Sequence, residues 1–141
     1  MIDLWPEDIQ TVRVKAPVTI LKEQAAFLGQ RTKNVVTAEV VLRQGVTTAF
    51  RFSFYIVGPA IGNYRYRLLT VSYSPPFYPL TLDPAPGILM ELYPDTSQGE
   101  ALVIINSRNE FLAVLRKVFS ASKTLRVVRA ILALSGVELD D

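Results

Sequence analysis

The chain has 141 residues, 50% hydrophobic and 20% charged, a size and balance that fit one domain with its own core. It contains no cysteine and no histidine, which excludes disulfide frameworks, thiolate nucleophiles, imidazole metal ligands and the usual proton shuttle near neutral pH. The net charge is only +2, and despite a mean hydropathy of +0.26 the uncharged runs are too short and too rich in proline for a membrane span.

Met1 to Asp8 place acids and a proline where a signal peptide needs a basic start and an apolar run, so the expected compartment is the cytoplasm. Residues 1–16 show no period and read as an extended lead-in, with Trp5 packing back on the domain. Pro17 suits the first turn of a helix, where its missing N–H costs nothing, and Val18, Leu21, Ala25 and Leu28 give an apolar stripe that Gly29 stops. A period of two follows: Val36, Ala38, Val40 and Leu42 point inward, while Thr37, Glu39, Val41 and Arg43 point outward. After a turn at Gln44-Gly45-Val46, Phe50, Phe52, Phe54 and Ile56 alternate with Arg51, Ser53 and Tyr55, the strongest strand signal in the chain. Gly58 to Asn63 form a turn-rich loop, and Tyr64 to Tyr73 supply a third strand of an antiparallel meander.

A regular register that pairs Val57 with Arg65 sets Tyr55 opposite Arg67 and Arg51 opposite Val71. Tyr64, Tyr66 and Leu68 then face the core, and Arg65, Arg67, Leu69, Val71 and Tyr73 the outer side. Cross-strand pairing is expected to stack Arg67 on Tyr55 and to let Glu39 neutralise Arg51 or a neighbour.

Seven of the nine prolines lie between Pro59 and Pro94, and those from Pro75 to Pro86 interrupt any regular ladder. Short strands are expected at Ile88 to Tyr93 and Ala101 to Ile105, joined by a turn at residues 95–99. Ser107 and Glu110 fit a capping box ahead of a helix whose apolar face is Phe111, Leu112, Leu115, Val118 and Phe119. Ser122 can cap a last helix with Leu125, Val128, Ile131 and Leu132 inward, ending at Gly136 and leaving residues 137–141 as a frayed tail. The expected fold is one α+β domain over residues 1–141: an antiparallel meander of four or five strands, with an N-terminal helix and two C-terminal helices on one face.

No motif carries a reaction. Asp83, Glu91, Asp95 and Glu100 suit a hard cation by type but match no loop spacing, and a solvated acidic edge explains them better. Ser53, Ser72, Ser74 and Ser97 lack a base, and Gly58 to Gly62 lack the lysine and hydroxyl of a phosphate loop. The last helix has the amphipathic pattern of a membrane binder, but its apolar side chains are explained more simply as core. No catalytic residue, metal or cofactor is expected. Between Arg108 and Arg129 six bases face one acid, either an ordinary solvated helix face or a docking patch. The candidate binding residues are therefore Arg51, Tyr55, Arg65, Arg67 and Tyr73 on the outer sheet face and Lys117, Arg126 and Arg129 on the C-terminal helices.

Ile56-Val57-Gly58-Pro59, then Tyr64, Leu69-Thr70-Val71 and Pro76-Phe77-Tyr78-Pro79 resemble the central part of the ubiquitin-conjugating-enzyme-like fold, a likeness covering roughly residues 17–120. The nucleophilic cysteine and the histidine-containing motif of the conjugating members have no counterpart here. The resemblance therefore implies a non-catalytic variant, like the cysteine-lacking members or the RWD interaction domains. The function expected is a protein-interaction module serving as adaptor, inhibitor or immunity-type neutraliser. The alternative is a nucleic-acid-binding domain using the same basic residues, and an exposed sheet edge allows self-association.

Overall fold

A computed structural model describes residues 1–10, 14–43, 49–94 and 102–136. The elements in chain order are helix α1 (Pro17–Arg31), strands β1 (Thr37–Arg43) and β2 (Phe50–Gly58), a 3-10 turn (Pro59–Ile61), β3 (Tyr64–Tyr73), β4 (Leu80–Pro84), α2 (Pro86–Leu92), β5 (Val103–Ile105), α3 (Arg108–Phe119) and α4 (Ser122–Leu134). The five strands form one antiparallel sheet in sequential order, β1-β2-β3-β4-β5. An α+β domain with an N-terminal helix and two C-terminal helices is what the periodicities led us to expect.

The core lies between the sheet and the helices. Ile20 and Leu21 of α1, Phe111, Leu115 and Val118 of α3 and Ile131 of α4 join Phe54, Ile56, Leu69, Val71, Leu80 and Leu82 in one buried cluster. α1 runs two residues past Gly29, which is buried, and Thr32 closes it: its hydroxyl donates to the Leu28 carbonyl and accepts from the Val36 N–H. Trp5 does not pack back; it is 73% exposed, with Ile2, Leu4 and Ile9 also open to solvent.

The decisive departure is in β3. The ladder with β2 starts as expected, Val57 opposite Arg65 and Tyr55 opposite Arg67, then shifts by one residue so that Phe54 meets Leu69, Phe52 meets Val71 and Phe50 meets Tyr73. Leu68 is the extra residue of a β-bulge. Beyond it the strand changes phase, so Leu69, Val71 and Tyr73 are core residues and Arg51 faces Ser72 instead of Val71.

The proline-rich segment holds two further differences. Pro79 precedes β4 and Pro84 ends it, so neither breaks the ladder that Leu80 to Leu82 make with β5. Residues Pro86–Leu92 are a helix, not a strand, with Pro86 in its first turn. This short helix also caps another. Ser107 and Glu110 form their box as expected, Ser107 Oγ accepting from the Glu110 N–H and Glu110 from the Asn106 N–H, but Ser122 does not cap α4. The Glu91 carboxylate of α2 instead accepts from the Ser122 N–H at 2.8 Å and the Lys123 N–H at 3.4 Å. Glu91→Ala is therefore expected to cost about 1 kcal/mol, the range for losing an N-terminal acceptor, read as a lower thermal midpoint that Glu91→Gln partly restores. In α4 Ile131 is buried and Val128 and Leu132 pack against the core as expected, joined by buried Thr124, whereas Leu125 stands open at 36% exposure. The turns expected at residues 44–46 and 95–99, Ala101 and the tail 137–141 lie outside the described residues.

Candidate functional site

The helices pack on one face of the sheet; on the other, among the described residues, Glu39, Arg51 and Arg65 are exposed around buried Ser53, Val57 and Thr70. On that outer face the pairing sets Glu39 of β1 beside Tyr55 of β2, and Tyr55 beside Arg67 of β3. The Arg65 side chain reaches back across β2: its guanidinium carbon lies 4.3 Å from the centre of the Tyr55 ring, and its Nη2 is 2.8 Å from Glu39 Oε2. Arg43 Nη1 donates to the Tyr55 hydroxyl at 2.8 Å. Three strands thus hold one tyrosine between two arginines. Arg65, not Arg67, is the arginine on Tyr55, and Glu39 pairs with Arg65, not Arg51.

These contacts stabilise the fold little, because the Arg65 and Glu39 side chains are 43% and 51% exposed and such pairs are worth about 0–1 kcal/mol. Their consequence is order: an arginine and a tyrosine that would otherwise sample many rotamers are held ready, which lowers the entropy cost of binding. Arg51 lies in the same strand with no ion pair among the described residues, so its charge is available.

Arg67 has a different role. The bulge brings Arg67 and Thr70, three residues apart, onto one face. Arg67 Nη1 donates to Thr70 Oγ1 and to the Asp83 carbonyl, both at 3.1 Å, and lies 3.8 Å from Asp83 Oδ2. Thr70 Oγ1 also meets Ser53 Oγ at 2.8 Å. This half-buried network staples β2, β3 and β4 together, so Arg67 holds the sheet and Asp83 is occupied by it.

The candidate residues therefore do not form one site. Arg51, Tyr55 and Arg65 share the outer face and Arg67 anchors it. Tyr73 belongs on the core side, 6% exposed among Phe50, Phe52 and Phe77, and burial raises its phenol above the usual range while the nearby Val18 backbone opposes the shift. Lys117, Arg126 and Arg129 are on α3 and α4, the helices that pack on the core side of the sheet, and not on the face of Arg51. Arg43 escaped the candidate set although the period of two in β1 already placed it outward.

Among the described residues, concavities also lie away from this face, two of which bear on function. One lies at the proline-rich crossing, lined by Ser72, Ser74 and Thr81 with Tyr78 and three prolines; among the described residues no acidic or basic side chain lines it. The Tyr78 hydroxyl is buried without a partner among the described residues, and this burial pushes its phenol up against the opposing pull of Arg108. The other is an apolar groove of about 390 Å³ between α4 and the start of β3. Ile61, Tyr64, Val127 and Leu134 line it, with Lys123 and Arg126 beside them. Tyr64, expected in the core, is 46% exposed at its edge, whereas Tyr66 packs against the core. Among the described residues no three carboxylates cluster closely enough to hold a metal ion, and no helix is long and apolar enough to cross a membrane. In comparisons with known proteins, no family model, no curated protein and no solved structure matches the chain.

Proposed function

We propose that the chain is a cytoplasmic, non-catalytic protein-interaction module that receives its partner on the outer sheet face, through Arg51, Tyr55 and Arg65. The observation that carries this reading is the ordered Arg43–Tyr55–Arg65–Glu39 cluster on the face of the sheet away from the helices. Arginine and tyrosine are the residue types that dominate binding energy at protein interfaces, and holding them in place favours specificity. The reading extends the resemblance to cysteine-lacking members of the ubiquitin-conjugating-enzyme-like fold, whose work is binding. It ranks above nucleic-acid binding because Arg65 and Arg67 already face carboxylates, which leaves less charge for phosphates.

The test is affinity capture with the whole chain, compared with an Arg51→Glu/Arg65→Glu variant. Both residues are exposed, so the variant is expected to keep its circular dichroism and thermal midpoint while losing its partner by about 30-fold or more, the scale of a hot-spot loss. A partner retained at full strength overturns the outer face as the binding surface. Strong, steeply salt-dependent binding of an oligonucleotide by the parent chain would favour the nucleic-acid reading instead.

A further inference from the structure

The first ten residues are out of place for a segment of a water-soluble surface. Ile2, Leu4, Trp5 and Ile9 are 83%, 89%, 73% and 56% exposed, and none covers the core. The segment is not featureless: Asp3 Oδ1 accepts from the Trp5 N–H at 3.0 Å in an Asx turn, and the Ile9 N–H donates to the Pro6 carbonyl at 3.2 Å in a second turn. Ile2, Leu4, Trp5 and Ile9 therefore give these two turns a row of uncovered apolar anchors. Asp3, Glu7 and Asp8 accompany them, with no basic side chain among these ten residues.

The α4 groove has the complementary character. Its walls are apolar, Leu134 at its end is 71% exposed, and the adjacent charges, Lys123 and Arg126, are both positive. An acidic, apolar segment and a basic, apolar groove on the same chain are matched in both respects.

The groove of the same molecule is a poor destination. β3 separates Tyr64 at the groove from Tyr73, which lies against Val18 at the start of α1, and nine strand steps span about 30 Å. The nine residues from Ile9 to Val18 reach about 30 Å only when fully extended and running straight, which a path around the domain does not allow. We propose that the segment Ile2–Ile9 docks in the α4 groove of a second copy of this chain, and that reciprocal exchange closes a two-fold dimer. The groove is on the helical side, so such a dimer leaves both outer sheet faces open; it stands independently of the function proposed above and would make that binding bivalent.

Trp5 is the only tryptophan, so its emission reports the docking directly. Light scattering and fluorescence across micromolar to millimolar chain concentrations are expected to show the mass rising from 15.7 kDa to twice that value as the emission shifts to the blue. Lys123→Glu/Arg126→Glu is expected to weaken the association about tenfold or more, and Glu7→Lys/Asp8→Lys in the same chain to restore it. Trp5→Ala, at an exposed position, should give a folded monomer. A monomeric mass at every concentration overturns the proposal. So does a blue shift at monomeric mass, which would mean that the segment folds onto its own chain, or a dimer that survives Trp5→Ala with full strength.

Discussion

Replacing Tyr73 with alanine is expected to cost about 3–5 kcal/mol of folding stability, the loss that follows truncation of a buried aromatic ring. The ring is 6% exposed, with its centre 6.0 Å from Phe52, 6.2 Å from Phe50 and 5.7 Å from Phe77, the last pair edge-to-face at 83°. Such pairs add about 0.5–1.5 kcal/mol each to the burial itself. The side chain closes the core where β2, β3, the proline-rich crossing and the first turn of α1 converge. In a strand of unbroken alternation, Tyr73 would share the face of Arg65 and its truncation would change stability by no more than about 0.5 kcal/mol, as surface changes do. Urea denaturation therefore tests the bulge: a midpoint that falls steeply at unchanged slope supports the shifted register, and a loss below about 1 kcal/mol refutes it. Ser72→Ala, on the other face, is the matched control and should move the midpoint little.

That bulge was legible in the sequence. In "YRYRLLTVSY" the apolar positions are 64, 66 and 68 before the leucine pair and 69, 71 and 73 after it, while the polar positions change from 65 and 67 to 70 and 72. Two adjacent leucines at the break in phase are the mark of an inserted residue, because a pleated strand can bury both only by bulging. Long, strongly patterned segments formed where their periods placed them, β1, β2, α1, α3 and α4, although Leu42, Phe50 and Leu125, expected inward, are exposed. The short ones did not. The five residues from Leu80 to Pro84 alternate buried and half-buried, yet the prolines conceal a strand because Pro79 lies before its ladder and Pro84 at its last position, opposite Leu69. The run Ile88 to Tyr93 is apolar at a length that cannot distinguish strand from helix, and the deciding signal, Pro86 at a first-turn position, lies just before it. The outer face was half legible. Alternation alone brings Arg51, Tyr55 and Arg65 together, but the role of Arg67 as a staple required the bulge that places Thr70 beside it. The α4 groove was not legible, because it depends on how closely two distant elements approach.

That approach rests on Gly58, and Gly58→Ala is expected to destabilise the fold by about 1–3 kcal/mol through overpacking. With φ at −108° the backbone of Gly58 suits any residue, so conformational freedom is not why glycine stands there. The reason is space: an added Cβ would lie 2.8 Å from Ile61 Cγ1 and 2.9 Å from Ile131 Cγ2. Ile131 is 1% exposed in the last turn of α4 and has little room to yield, whereas Ile61 sits in a half-buried turn. The Gly-Pro pair thus lets α4 settle onto the end of β2, with Ile61 and Ile131 forming part of the groove wall. Gly62, four residues on, is a glycine for the opposite reason: its φ is +73° and nothing lies within 4 Å, so Gly62→Ala should cost about 1–2 kcal/mol through backbone strain alone. The two causes separate in a double-mutant cycle. Ile61→Ala removes one of the two side chains that the new methyl at position 58 would strike. Its combination with Gly58→Ala should be less destabilising than the sum of the single changes, whereas with Gly62→Ala the effects should add. Strict additivity in the first pair would mean that close approach of α4 is not what Gly58 provides.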